Sequence, residues 1–489
     1  AMILYFMMVD RFNNGNKTND APINDLEIKD KANYWGGDLK GISNKIKSGY
    51  FSKLGINTIW LSPITQNPQK GYIEYPAPHR KYSGYHGYWP ITLTTIDNRI
   101  GTSDELNELV NLAHKNNINV ILDFVSNHVH EENALYKNHP EWTTDLTLPD
   151  GSKNIRLWDE QRLTTWFDSF LPTLDLSKQE VVETISDSAL FWIKEYNLDG
   201  FRHDATKHIP KNYWKTLTRK LRDNVDKENI FQIGETFGSR ELIGDYVSSE
   251  QLDGQFDFNL YFDARSVFAN NNEPFTKLQK SLSESLEYYG YHSLMGNITG
   301  NHDIPRFISY AGKAIAFDED AKKAGWERDI QVEDTIGYYK LSSLTAFIMT
   351  IPGIPVIYYG DELGMPGAGD PDNRRPMKFV DLSRQEKNLK AKTEKLIQLR
   401  KSNMSLIFGN TEFLQVSNDI LVYSRTYFSN KTIIAFNKSK ETKTIKFGQA
   451  ENCDINTLQA NFGSKIEFSD GKIIITIKPF SYEIITTIN

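Results

Sequence analysis

Eight short apolar runs, with helix-spaced apolar stripes between them, constrain the fold of this chain more than any other feature. They are Ile3 to Val9, Ile56 to Leu61, Ile118 to Val125, Leu198 to Arg202, Ile230 to Gly234, a weaker run near Phe256 to Leu260, Leu294 to Thr299, and Ile354 to Tyr359. Continuous apolar runs of this length read as strands covered on both faces, the condition of a parallel sheet. Between them Ile42, Ile46, Tyr50 and Leu54 recur at helical spacing. Thr102 with Glu105 makes a capping box ahead of Leu106, Leu109, Val110 and Ala113, and Ser177 with Glu180 repeats that signature before Val181, Val182, Ile185, Trp192 and Ile193. Strands alternating with helices in this number imply an α/β fold, a closed (β/α)8 TIM barrel.

Spacing along the chain sets the domain organisation. Asp204 to Glu235 is 31 positions, one strand-helix unit, whereas Asp123 to Asp204 is 81. An inserted subdomain is therefore expected over 130–175, after the third strand, within a barrel made of 1–129 and 176–403. A smaller insertion is expected around Tyr310 to Ile330, its run Asp318-Glu319-Asp320 reading as a solvated loop. Beyond Lys401 the pattern changes to alternating runs at Thr411 to Val416, Ile420 to Thr426, Thr432 to Phe436, Thr442 to Phe447, Lys472 to Ile477 and Tyr482 to Ile488, with Asp470-Gly471 as a hairpin turn. That predicts an all-β sandwich over 404–489.

Several classes of function are excluded or disfavoured. With 56 Lys and Arg against 63 Asp and Glu, net charge −7, there is no basic footprint for nucleic acid. No apolar run approaches the ~18 residues that span a bilayer, so no membrane span is expected. Ala1 to Val9 lacks a preceding basic segment and a following cleavage site, and reads as a buried first strand; any export signal is expected to have been removed before Ala1. Cys453 is the sole cysteine, which precludes an intramolecular disulfide. The 24 Tyr, 27 Phe and 9 Trp exceed the needs of a core, and exposed rings suit the apolar faces of sugars.

The strand ends carry the chemistry. Strand three ends Asp123-Phe-Val-Ser-Asn127-His128, strand four Arg202-His-Asp204 with Lys207 and His208 beyond, strand five Gly234-Glu235-Thr236, and strand seven Gly300-Asn301-His302-Asp303. A barrel places all of these at one rim, where barrel enzymes do chemistry. Carboxylates crowded onto one rim repel each other and cost stability, so function is the better reason for their presence.

These segments, together with His86-Gly87-Tyr88-Trp89, Leu171-Pro-Thr-Leu-Asp175 and Gly353-Ile-Pro-Val-Ile-Tyr-Tyr-Gly-Asp-Glu362, resemble in order and spacing the α-amylase family of retaining α-glucan-active barrel enzymes, glycoside hydrolase family 13. The resemblance implies Asp204 as nucleophile, Glu235 as acid/base and Asp303 as stabiliser of the transition state. It implies substrate contacts from Tyr88, His128, Arg202, Lys207, His208, Phe237, His302, Asp370 and Arg374, while Trp89 reads equally well as core. It implies Ca²⁺ at Asn127, Asp175 and the His208 carbonyl, and at a second site of Asn14, Asn16, Asn19, Asp20, Gly36 and Asp38. Two departures stand out: Thr173, where many relatives carry an acid, and Thr236, where many glucanotransferases carry Trp. The expected activity is hydrolysis of α-1,4-glucosidic bonds in starch or maltooligosaccharides. The alternatives are an α-glucan transglycosylase or cyclomaltodextrinase-like enzyme on the same residues, or a non-enzymatic starch-binding protein, against which all three acids count. A monomer acting outside the cytoplasm is expected, with a cytoplasmic location as the alternative.

Overall fold

The computed structural model describes residues 1–227, 229–448, 458–469 and 471–487. Cys453, Asp470 and Ile488, on which three of the expectations above fall, lie outside the described residues.

The eight apolar runs form strands β1 (Leu4–Met7), β2 (Thr58–Leu61), β3 (Asn119–Phe124), β4 (Gly200–His203), β5 (Phe231–Gly234), β6 (Gly254–Gln255), β7 (Gly296–Ile298) and β8 (Ile354–Tyr358). They pair in parallel in the order β6-β5-β4-β3-β2-β1-β8-β7, and a single parallel bridge from Phe256 to Gly296 joins the remaining edges into a TIM barrel. Asp123 pairs with Arg202, and His203 with Gly234. That register brings the C-terminal ends of β3, β4 and β5 level with one another.

Three local expectations need correction. The sixth strand lies earlier than Phe256 to Leu260, because the Asp257 side chain accepts from Leu260 N and starts the helix Phe258–Ala269 there. The stripe Ile42 to Leu54 is two helices, Leu39–Lys47 and Tyr50–Leu54, broken at Gly49, whose φ of 75° lies in the left-handed region that glycine enters without strain. Ser177 does not cap the helix Gln179–Tyr196; its hydroxyl donates to Asp175 at 2.5 Å, and Lys178 stands at the cap with no side-chain bond. The capping box of Thr102 and Glu105 is present as expected at the helix Ser103–Lys115.

Between β3 and the helix Gln179–Tyr196 the chain makes a long excursion above the β3 and β4 ends. It has a short α-helix, Ala134–Asn138, followed by a 3-10 turn, Pro140–Trp142, and is held by isolated bridges such as His128–Thr173, Thr143–Leu174 and Ile155–Trp166. Asp318 to Asp320 is more than a solvated loop: Asp320 caps the helix Ala321–Glu327 and Glu319 pairs with Arg328 at 2.6 Å.

The C-terminal part has strands β9 (Asn410–Val416), β10 (Ile420–Tyr427), β11 (Asn430–Asn437), β12 (Lys443–Gly448), β13 (Leu458–Ala460), β14 (Ile466–Ser469), β15 (Lys472–Ile477) and β16 (Ser481–Thr487). They form antiparallel sheets ordered β9-β10-β11-β16-β13 and β12-β15-β14. One face of the larger sheet packs on the smaller through Val422, Ile433, Ile445, Ile473 and Ile475; its other face, with Tyr423, Phe436 and Tyr482, joins the core of the barrel.

Candidate active site

One buried guanidinium organises the rim. Arg202, at the end of β4, is fully enclosed; its Nη1 lies 2.8 Å from both Asp123 Oδ1 and Asp204 Oδ1, and its Nη2 lies 2.7 Å from Glu235 Oε2. Three carboxylates from three adjacent strand ends thus share one positive charge. Asp123 also accepts from Tyr88 Oη at 2.7 Å and Trp60 Nε1 at 3.0 Å, yet burial and the nearby Asp204 push its pKa up to about 7 against the pull of Arg202. The loops after β4 and β5 are tied to each other, with Thr206 N donating to the Glu235 carbonyl and Glu235 N to Thr206 Oγ1.

Glu235 Oε1 is buried without a partner among the described residues. Burial pushes its pKa well up, the Asp204, Asp303 and Asp123 charges push the same way, and only Arg202 opposes them. A carboxyl whose proton is held by burial and by nearby acids has the arrangement of a general acid.

Asp303 stands across the rim on a different arginine. Arg374 Nη2 lies 3.1 Å from Asp303 Oδ1, Arg374 Nη1 lies 2.9 Å from Asp370 Oδ1, and Arg374 Nε donates to the His302 carbonyl. The Asp370–Arg374 turn therefore does hold an internal ion pair, and its arginine also reaches the third acid. Asp303 keeps 41 % of its side chain exposed, against 11 % for Asp204, so it opens to the cleft.

Around the acids, the Tyr88 and His302 rings stack at 5.0 Å, nearly parallel, and His128 Nε2 donates to the Tyr88 carbonyl. Burial lowers the pKa of both histidines, with the charges of Arg374 and Arg202 adding to the effect at His302, so both are neutral donors at neutral pH. Lys207 Nζ pairs with Asp159 at 3.1 Å and His208 Nδ1 bonds the Arg162 carbonyl at 2.7 Å; both partners come from the inserted stretch. Phe237 lies flat on Phe258 at 3.9 Å and is half-buried, packed more than presented. Trp89 is core, wedged against Tyr72, His86 and Phe170.

The cation-site residues divide. In the first loop, Asn14 Nδ2 donates to both Asp20 oxygens, while Asn14 Oδ1 and Asn19 Oδ1 are buried without partners among the described residues. Gly36, at φ 87°, faces the same spot; a Cβ there would come within 2.4 Å of Asp20 Oδ1. Asp38 and Asn16 are engaged locally, Asp38 by the amides of Gly15, Asn16 and Gly41, and Asn16 by Thr18. At the other site Asn127 Oδ1 is a buried oxygen without a partner among the described residues; Asp175 is engaged by Ser177 and Lys178.

Sequence reasoning assigned no role to Asp123, although it opens the strand-three motif, because its function depends on sharing Arg202. It also missed Trp60, buried in β2, and the rings of Trp158 and Phe167, which flank His208 at 5.5 and 5.1 Å. Trp158 and Phe167 sit in irregular chain with no periodicity to mark them.

A family profile described as the alpha-amylase catalytic domain matches residues 6–405. The cyclomaltodextrin glucanotransferase of Paenibacillus macerans is 29% identical over 462 residues, 90% of this chain and 60% of that enzyme. The chain thus spans about 60% of the length of the first curated relatives it matches. Among solved structures, an alpha-amylase of Anoxybacillus superposes with a TM-score of 0.83 at 29% identity, covering 100% of this chain and 98% of that one. The alpha-amylase of Geobacillus thermoleovorans, solved with acarbose, gives 0.82 at 28% identity, with the same coverage. On a match that takes in the whole barrel and the rim just described, the chain belongs to the alpha-amylase family.

Proposed function

We propose that this chain is a retaining glycoside hydrolase that cleaves α-1,4-glucosidic bonds in starch, maltooligosaccharides or related α-glucans. The observation that carries the reading is the Arg202 fork, with Asp204 on one nitrogen and Glu235 on the next, and Glu235 alone carrying a free buried oxygen. Retaining enzymes hold their two carboxyl groups ~5–5.5 Å apart, and two acids on adjacent nitrogens of one guanidinium are kept on the same side of the pocket.

In the first step an Asp204 oxygen attacks the anomeric carbon while Glu235 gives its proton to the departing glycosidic oxygen, leaving a glycosyl ester and a sugar hydroxyl. Glu235, now ionised, takes a proton from water as its oxygen attacks the same carbon and Asp204 departs with the ester's electron pair. Asp303, steered by Arg374, binds hydroxyls of the distorting ring, with His302 as a further donor, Tyr88 as its stacking floor, and His128, whose one N–H goes to the Tyr88 carbonyl, offering Nδ1 as an acceptor. Acarbose, the ligand of the Geobacillus neighbour, is expected to bind here as well. The test is to follow product lengths from amylose, maltoheptaose, cyclodextrin and pullulan. Asp204→Asn should lose at least 10³-fold in kcat while still binding oligosaccharide; near-normal turnover would contradict the assignment.

Glycosyl transfer to a sugar acceptor is the second reading, favoured by Trp158 and Phe167 beside His208; products longer than the substrate would establish it. A calcium ion belongs to the proposal at the first loop, where the free oxygens of Asn14 and Asn19 and the Asp20 carboxylate suit a hard cation, with structural and not catalytic effect. At Asn127, Asp175 and the His208 carbonyl, the free Asn127 Oδ1 suits a cation, while the Asp175 carboxylate is engaged by Ser177 and Lys178. The proposal also takes 1–129 with 176–403 as the barrel unit, 130–175 as an inserted unit and 404–489 as the sandwich, in a monomer. Among the described residues no helix is long and apolar enough to cross a membrane. Action outside the cytoplasm goes with a polymer too large to be taken up whole.

A further inference from the structure

The loop after β2 carries a hairpin with no part in the chemistry described so far. Its arms, Tyr72–Ile73 and Lys81–Tyr82, pair antiparallel, and Glu74 N donates to the Arg80 carbonyl nearer the tip. On one side the hairpin is fastened to the inserted stretch. Tyr75 N donates to Asp168 Oδ2 at 3.0 Å and Tyr72 Oη to Glu132 Oε1 at 2.5 Å, and Asp168 is itself buried. On the other side it is fastened to the helix Ala321–Glu327, which follows β7. Lys322 Nζ pairs with Glu74 Oε2 at 2.6 Å, and the Trp326 ring meets Tyr82 edge-on at 5.7 Å with the Arg80 guanidinium 4.8 Å over it.

β2 and β7 are separated in the barrel by β1 and β8, so a hairpin joined to that helix spans this part of the mouth. The helix is in turn seated on the turn after β8: Gly369 N donates to the Ala321 carbonyl at 2.9 Å, and a Cβ at Gly325 would lie 2.8 Å from Asp372 Cβ. Arg374 of the same turn holds both Asp370 and Asp303. Inserted stretch, hairpin, helix and turn are therefore one connected wall, and its end at Arg374 touches the third acid. Its central ion pair is partly withdrawn from water, with Glu74 9 % and Lys322 34 % exposed, and is screened less than a surface pair would be.

The direction of the substrate follows from the acids. Glu235 protonates the leaving oxygen, so the departing chain lies toward β5, and the sugars kept on Asp204 extend toward Asp303 and Arg374. Those kept sugars are the non-reducing end of a glucan, because Asp204 takes the anomeric carbon of the sugar it holds. The wall stands on that side.

We infer that the Glu74–Lys322 bridge closes the donor end of the cleft, so that the protein clips short oligosaccharides of fixed length from non-reducing chain ends instead of cutting chains internally. This rests on the glucan-cleaving reading and states how that site meets the polymer. Glu74 and Lys322 touch no reacting atom; they position the hairpin that stops the chain.

The test compares p-nitrophenyl maltoheptaoside with the same compound carrying an ethylidene acetal on its non-reducing glucose. Products are separated by chromatography for wild type, Lys322→Met, Glu74→Gln and Lys322→Arg. The wild type should cleave the blocked chain about tenfold or more slower than the free one, and should release reducing ends from amylose well before its iodine colour falls. Lys322→Met and Glu74→Gln should bring the two rates close together and lengthen the first products, with the rate on the free chain nearly kept. Lys322→Arg, which still pairs with a carboxylate, should keep the wild-type discrimination. Equal wild-type rates on the two chains, or a ratio untouched by breaking the bridge, would overturn the inference. Should one variant fail to fold, the wild-type ratio and the other variant decide it. If the wild type turns over neither chain nor amylose, the functional reading falls and this inference with it; turnover without discrimination defeats this inference alone.

Discussion

Glu235 is the residue on which the chemistry turns, because its proton is held by burial and by three acids that share too few positive charges. Removing one of those acids should loosen the proton. Asp303→Asn is predicted to shift the alkaline limb of its residual activity to lower pH than wild type, since one of the charges that raise the Glu235 pKa is gone; an unmoved or higher limb would contradict this. The same shift has a stability consequence. A carboxyl whose pKa is raised on folding contributes stability below its unfolded pKa and loses it as pH climbs through the folded value. Glu235→Gln has nothing to ionise, so its melting temperature relative to wild type should rise between pH 5 and pH 9. At this scale the rim residues were legible because each stands in a short strand-end motif. The partners were not: that Asp123 shares Arg202 with Asp204 and Glu235, and that Asp175 is engaged by Ser177 and Lys178, depend on side-chain directions that spacing does not encode.

Elements are held by local chemistry that can be tested one at a time. Thr102→Ala removes the cap of the helix Ser103–Lys115 and should cost about 1 kcal/mol in a denaturant titration. In the first loop, Gly36→Ala would force a Cβ into the Asp20 and Asn14 side chains and strain a left-handed backbone. It should lower the melting temperature and abolish the calcium-dependent part of the melt, and Asp20→Asn should abolish that part alone. Continuous apolar runs identified the strands because a parallel barrel covers both of their faces. The misplaced sixth strand and the Ser177 cap have one cause, that Asp and Ser side chains start helices or close turns according to which backbone N–H lies near, a choice made by the neighbouring elements.

The whole molecule is built on a shared core. Tyr423 Oη bonds Thr350 Oγ1, Ser342 bonds Tyr482, and Phe436 touches the rings of Phe268, Phe275 and Phe347. Arg400 and Arg425, both buried, cap the carbonyl end of the helix Ile336–Thr350 from the two sides of the seam. Barrel and sandwich should therefore unfold in one transition, and a chain cut after residue 403 should aggregate, having exposed that core. The change of period near Lys401 made the sandwich legible in the sequence, whereas the seam was not, since its arginines read as ordinary surface charges. All of this scaffolding serves one proposition, that Asp204 attacks a sugar whose leaving oxygen Glu235 protonates. Proton NMR of the first product released from maltoheptaose tests it most directly: the α-anomer should appear first and mutarotate later, and a β-anomer appearing first would contradict the account.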